Sequence, residues 1–92
     1  MNLSELRTQI DGIDKQLIRL LEDRMDISAG IAAWKRENNM PVLDLSREQV
    51  KIESVRAQCR PETADLIAEL FEAIMAASRV YQAGLMEDAD GK

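Results

Sequence analysis

The chain has 92 residues, enough for one small domain, and a net charge of −5, which argues against non-specific binding to nucleic acid or to an anionic membrane. There is no histidine and only one cysteine, Cys59. A lone cysteine excludes an intrachain disulfide, and the pair of facts counts against a structural zinc site or a Cys/His nucleophile.

Leu, Ile, Ala and Met supply the hydrophobic residues, while aromatics make up only 3%. Those residue types favour helix, no β-alternating run stands out, and Pro41 and Pro61 fall at boundaries. An all-α chain is expected. No signal-peptide core and no long apolar span is present, so the cytoplasm is the default compartment.

The first helix is predicted from about Leu3 to about Asn38, with Ser4 as a candidate N-cap and Asn38-Asn39-Met40-Pro41 as the stop signal. Its apolar positions are Leu3, Leu6, Ile10, Ile13, Leu17, Leu20, Ile27, Ile31 and Trp34, spaced by threes and fours except where Arg24 interrupts them. Trp34 ends this seam as a predicted core residue. A guanidinium keeps its charge, and burying it unpaired costs several kcal/mol. Arg24 therefore demands an anion, either a carboxylate of the protein or a ligand.

Helix two is expected to start at Asp44 or Ser46, where Ser46 and Gln49 fit a capping box, and to reach about Cys59. Helix three starts at Pro61 and continues to about Met86. Residues 1–86 thus make one helical domain, followed by a polar tail, 87–92, expected to be disordered. A first helix of some 35 residues spans roughly 50 Å. A compact monomer of this length has a radius of gyration of only about 12–13 Å. Two shorter helices cannot cover so long a seam, but a second copy can. An intertwined homodimer is expected, against the alternative of a monomeric three-helix bundle with a bent first helix.

Several polar residues stand where the pattern calls for apolar ones, and each has two readings. Lys35 lies eleven residues after Arg24, on the same face and about 16 Å along the axis. The two can clasp one small dianion, or Lys35 can be a solvated lysine favouring the helix C-terminus. Arg7 lies about 25 Å before Arg24 along the axis. It either pairs locally with Asp11 or serves a site built mainly by another subunit. In helix three, Phe71, Ile74, Met75, Tyr81 and Leu85 suggest a buried stripe that includes Ser78 and Gln82. A buried Gln82 needs partners for its amide, from a ligand or from the backbone. Asp44 and Glu48 suit a helix N-terminus, and Glu48 can also accept from a ligand hydroxyl with Arg47 nearby.

Taken together, Arg7, Arg24, Lys35, Asp44, Arg47, Glu48, Ser78 and Gln82 resemble the active site of the all-helical (type II) chorismate mutases. The opening LRTQIDGIDKQLIRLLEDRM and the segment AAWKRENNMPVLDLSRE resemble the family's signatures, and the likeness covers about residues 3–86. It implies an interlocked dimer with two equivalent sites and the rearrangement of chorismate to prephenate, toward phenylalanine and tyrosine. It implies no metal and no cofactor. Arg24 and the partner chain's Arg7 would grip the two carboxylates, with Ser78 assisting. Lys35 and Gln82 would donate to the ether oxygen, Glu48 would accept from the ring hydroxyl, and Asp44 and Arg47 would order the surrounding loop. Some relatives carry a glutamate at the Gln82 position, which must be protonated to donate. A glutamine implies activity through neutral pH.

An isochorismate–pyruvate lyase would share the fold and the basic grip, although LDLSRE favours the mutase. A mutase acting on 4-amino-4-deoxychorismate would place an amine near Glu48. A non-catalytic helical dimer, a regulatory or interaction module, would instead pair Arg24 with an internal carboxylate such as Asp14 or Glu48. Family members are often fused to a dehydrogenase, a dehydratase or an upstream synthase, and activation by a partner enzyme is left open by the sequence.

Overall fold

The computed structural model describes residues 1–91, with side chains through Glu87, and contains three helices and no strand among them. Helix α1 spans Leu3–Glu37, α2 spans Leu45–Gln58 and α3 spans Pro61–Gly91. Helix α3 thus runs to Gly91, five residues past the expected end at Met86; of the expected tail, 87–92, Lys92 and the side chains from residue 88 on lie outside the described residues. None of the helices is long and apolar enough to cross a membrane, among the described residues.

Local chemistry sets the helix ends. Asn2, not Ser4, caps α1: its side chain accepts from the Glu5 backbone N–H at 2.9 Å, while Ser4 already lies inside the helix. At the other end Asn39 takes a left-handed conformation, φ 55°. The Asn39 N–H then reaches Arg36 O and the Met40 N–H reaches Lys35 O. That pair of reversed bonds is a Schellman motif, with asparagine in the place glycine usually holds. The reversal brings Val42 back beside Lys35, whose ammonium donates to the Val42 carbonyl at 2.8 Å.

Helix α3 lies between the other two; α1 packs on α3, α2 packs on α3, and α1 and α2 do not pack on each other. Only the C-terminal part of α1 takes part. Its buried residues are Ser28 and Ala32, one turn apart. They meet the α3 stripe of Ala68, Met75, Ser78 and Gln82, whose spacings of seven, three and four residues define one helix face. Val55 is the buried residue of α2. Phe71, Ile74 and Leu85 are half-buried, whereas Tyr81 is exposed, so the predicted α3 stripe is rotated toward Ser78 and Gln82.

The single chain buries four hydrophobic residues and three polar ones, which is too little for a core of its own. The α1 seam, Leu3 through Leu20 and on to Trp34, is exposed; Trp34 is 54% exposed rather than buried. Every residue of the first five turns is exposed. The longest dimension is 54 Å and the radius of gyration 16.5 Å, well above the compact value of about 12 Å. The accessible surface is 7213 Å². A folded monomer of this mass exposes about 5,400 Å², so roughly 1,800 Å² is in excess.

Asp44 caps α2 by accepting from the Arg47 N–H at 3.0 Å, and Ser46 donates to the same oxygen instead of forming its own capping box. The Arg47 N–H, foremost, holds the Asp44 carboxyl below its ordinary value of 3.8. Partial desolvation opposes this, and the Ser46 hydroxyl and the charges of Lys35 and Arg47 add to it. A depressed carboxyl contributes stability above its unfolded value and loses it as pH falls through the folded one. Asp44→Asn keeps a capping oxygen and removes the charge. In denaturant melts the wild-type advantage over Asp44→Asn is expected in full at neutral pH. It should shrink below pH 3.8 and vanish once the folded carboxyl protonates.

Candidate active site

A cavity of about 350 Å³ opens where the C-terminal half of α1, the start of α2 and the middle of α3 converge. That volume lies at the lower end of the range for small-molecule sites. Seven of the eight residues singled out in the sequence line it: Arg24 and Lys35 from α1, Asp44, Arg47 and Glu48 from the α2 N-terminus, and Ser78 and Gln82 from α3. Arg7 does not. It stands on the exposed half of α1, remote from the cavity its own chain builds.

The walls carry five cations, Arg24, Lys35, Arg47, Lys51 and Arg79, against two carboxylates, Asp44 and Glu48. This local excess of positive charge sits in a chain whose net charge is −5. The carboxylates are already engaged. Asp44 caps α2, and the Arg79 guanidinium contacts both oxygens of Glu48. Arg24 is half-buried and forms no hydrogen bond or ion pair with any described residue. It pairs with neither Asp14 nor Glu48, which removes the basis for reading it as one half of an internal structural bridge. Lys35 is half-buried rather than a free surface lysine, and its bond to Val42 O aims the ammonium while leaving two N–H groups for another acceptor.

The most enclosed polar groups of the chain also lie here. Ser28, Ser78 and Gln82 are 4%, 6% and 7% exposed. The Ser28 and Ser78 hydroxyls are 2.8 Å apart, and the Gln82 amino group donates to Ser78 Oγ at 3.1 Å. Gln82 Oε1 is then buried without a partner. A half-turn about the terminal torsion exchanges these roles at little steric cost. The carbonyl accepts from Ser78, whose own oxygen accepts from Ser28, and the amide N–H₂ becomes the unsatisfied group. In either orientation Gln82 keeps polar capacity that the protein does not use, and an unmade buried bond costs about 1–3 kcal/mol.

Ser28, Lys51 and Arg79 escaped the sequence reading. Ser28 had a legible signal, since it sits one turn after Arg24 and seven residues before Lys35 on the same helix face. Arg79 had none: on α3 it reads as a solvated arginine, and only the packing of α2 against α3 brings Glu48 to it.

The family model for chorismate mutase type II matches residues 6–83. The chorismate mutase of Methanocaldococcus jannaschii is 24% identical over 92 residues, covering 98% of this chain and 93% of that protein. The bifunctional chorismate mutase/prephenate dehydratase of Buchnera aphidicola subsp. Schizaphis graminum is 30% identical over 87 residues, and the T-protein of Haemophilus influenzae 27% over 73. These alignments cover 92% and 79% of this chain but only 23% and 19% of the two longer proteins. No solved structure matches the chain significantly. The match over residues 6–83 spans most of the three helices and every residue of the cavity, and the chain belongs to the type II chorismate mutase family.

Proposed function

We propose that this chain rearranges chorismate to prephenate, at the branch toward phenylalanine and tyrosine, as a cytoplasmic homodimer with two equivalent sites. The observation that carries the reading is Arg24, a half-buried guanidinium without a protein anion, sharing a small cavity with Lys35 and Gln82. Chorismate is a dianion and supplies the missing charge.

The reaction is a unimolecular Claisen rearrangement. One C–O bond breaks, one C–C bond forms, and no atom leaves, so nucleophile, general base and cofactor have no step to perform. The barrier falls by holding the enolpyruvyl arm over the ring and by stabilising charge that appears only in the transition state. Arg24 grips one carboxylate through its planar fork, with Ser28 and Ser78 lining the same wall. Bond breaking runs ahead of bond making, so negative charge builds on the ether oxygen. Lys35, held by Val42 O, and Gln82, in the orientation that frees its amino group, donate to that oxygen. Glu48 accepts from the ring hydroxyl, and Asp44 and Arg47 order the start of α2 around it.

The second carboxylate needs Arg7, which its own chain leaves far from the cavity. Pairing the exposed seams of two α1 helices supports an answer. The excess of roughly 1,800 Å² per chain is more than twice the ~800 Å² that each partner buries in a standard interface. Exposed Leu3, Leu6, Ile10, Ile13, Leu17 and Leu20 lie along the half of α1 that carries Arg7. In this reading a partner helix laid on that seam brings its Arg7 to the cavity.

Proton NMR of the chain mixed with chorismate is expected to show prephenate forming far above the uncatalysed rate. Arg24→Ala should lower kcat/KM by about a hundredfold or more. Its melting temperature should stay near wild type, because no internal bridge is broken; a large drop in stability with activity retained would return Arg24 to a structural role.

Mixing two inactive variants tests the shared site. Arg7→Ala and Lys35→Ala homodimers are each expected to be nearly inert. A refolded mixture should recover up to about a quarter of wild-type activity, since one of the two sites in each heterodimer is then intact. No recovery would place Arg7 in the same site as Lys35 of its own chain, or outside the site altogether.

Gln82 donates at any pH, so activity should persist through neutrality. Gln82→Glu can donate only when protonated. Its rate should fall as pH rises from mildly acidic to neutral while the wild type changes little, with circular dichroism confirming that both stay folded.

A further inference from the structure

Arg79 lies directly after Ser78 on α3 and faces the cavity rather than solvent alone; its side chain is 34% exposed and that of Glu48 is 24% exposed. One guanidinium nitrogen reaches both Glu48 oxygens. We propose that this ion pair tunes the Glu48 subsite to take a neutral hydroxyl and reject an ammonium, which selects chorismate over its 4-amino-4-deoxy analogue. The inference rests on the chorismate mutase reading and extends it to substrate choice.

The chemistry follows from what Glu48 still has to offer. A carboxylate bound by one N–H group retains lone pairs for a hydroxyl hydrogen. Its charge, however, is already compensated. An ammonium at the hydroxyl position would sit beside the Arg79 guanidinium and would have to compete with it for the same two oxygens. The other charges lining the cavity do not relieve this, because Lys35, Arg47 and Lys51 outnumber Asp44. Without Arg79, Glu48 would present an unpaired negative charge, and an ammonium could replace the missing guanidinium. Arg79 also limits the rotamers of Glu48, so it acts as a positioning residue through that carboxylate and does not itself touch the reacting atoms.

The test compares kcat/KM for chorismate and for 4-amino-4-deoxychorismate in the wild type, Arg79→Met and Arg79→Lys, with a thermal melt of each. The wild type is expected to prefer chorismate. Arg79→Met should shift the ratio toward the amine by roughly tenfold or more, the scale of one unit charge a few ångström away in a partly screened site. Arg79→Lys keeps the charge and should hold the ratio near wild type. A brace between α2 and α3 would lower both substrates equally, and a direct grip on a substrate carboxylate would raise both KM values together; either result overturns the proposal. A wild-type chain that converts neither substrate would refute the activity itself, whereas an active chain with an unmoved ratio in Arg79→Met would refute the role of Arg79 alone.

Discussion

Arg24 holds a charge that no described residue of its chain neutralises. An interior or half-interior guanidinium cannot shed its proton, so it must find an anion or remain a standing cost. The nearby carboxylates are committed elsewhere, Asp44 to the α2 N-terminus and Glu48 to Arg79. This arrangement is unfavourable for an empty fold and favourable for a bound dianion. The same logic covers Lys35, which is tethered to a backbone carbonyl rather than to an acid, and Gln82, which keeps one buried polar atom unsatisfied. Three elements that do not resemble one another chemically are unsatisfied in the same small volume. A ligand that satisfies them together stabilises the folded chain by mass action as well as occupying a site.

The length of α1 connects this site to assembly. The helix is needed at its C-terminal end, where Arg24, Ser28 and Lys35 line up over three turns against α3. The preceding five turns are exposed throughout, Leu6, Ile10, Ile13, Leu17 and Leu20 included. A small chain with four buried hydrophobic residues has little stability to lose. Covering the seam with a second copy would supply the missing core and, by the position of Arg7, the missing cation. Folding, association and completion of the site then become one equilibrium rather than three.

Much of this was legible in the sequence, and the limits are physical. Five of the six helix bounds came within a residue or two because Asn, Asp, Pro and the Asn38–Pro41 stop act locally, whereas α3, which has no such stop signal, runs to Gly91, five residues past the expected Met86. Ser4 is the wrong cap for α1: Asn2 holds that place, and because both side chains can cap, only backbone geometry decides between them. Seven of the eight site residues converge because helical periodicity places Arg24 with Lys35 and Ser78 with Gln82 on single faces. Periodicity says nothing about how far one helix is rotated against another. That is why Tyr81 reads as buried and is exposed, and why Arg79, one position from Ser78, was invisible until α2 was set beside it. Trp34 failed for a different reason. The apolar pattern marks one face of α1, and no described residue of the single chain covers Trp34 there.

The buried triad of Ser28, Ser78 and Gln82 is the last step in linking packing to chemistry. Small side chains at positions 28, 32, 68 and 78 let α1 and α3 approach closely, and two of the four are serines. Alanine at both serine positions would pack as well and would leave no hydroxyl to satisfy. Serine there ties the helix–helix contact to the orientation of the glutamine one turn away. When the Ser78 hydroxyl donates to the Gln82 carbonyl, the amide nitrogen is directed at whatever fills the cavity, and Ser28 completes the chain by donating to Ser78. A neutral donor fixed in this way stays a donor at every pH the fold survives. The same contact that holds the helices together therefore sets which polar atom of Gln82 faces the cavity.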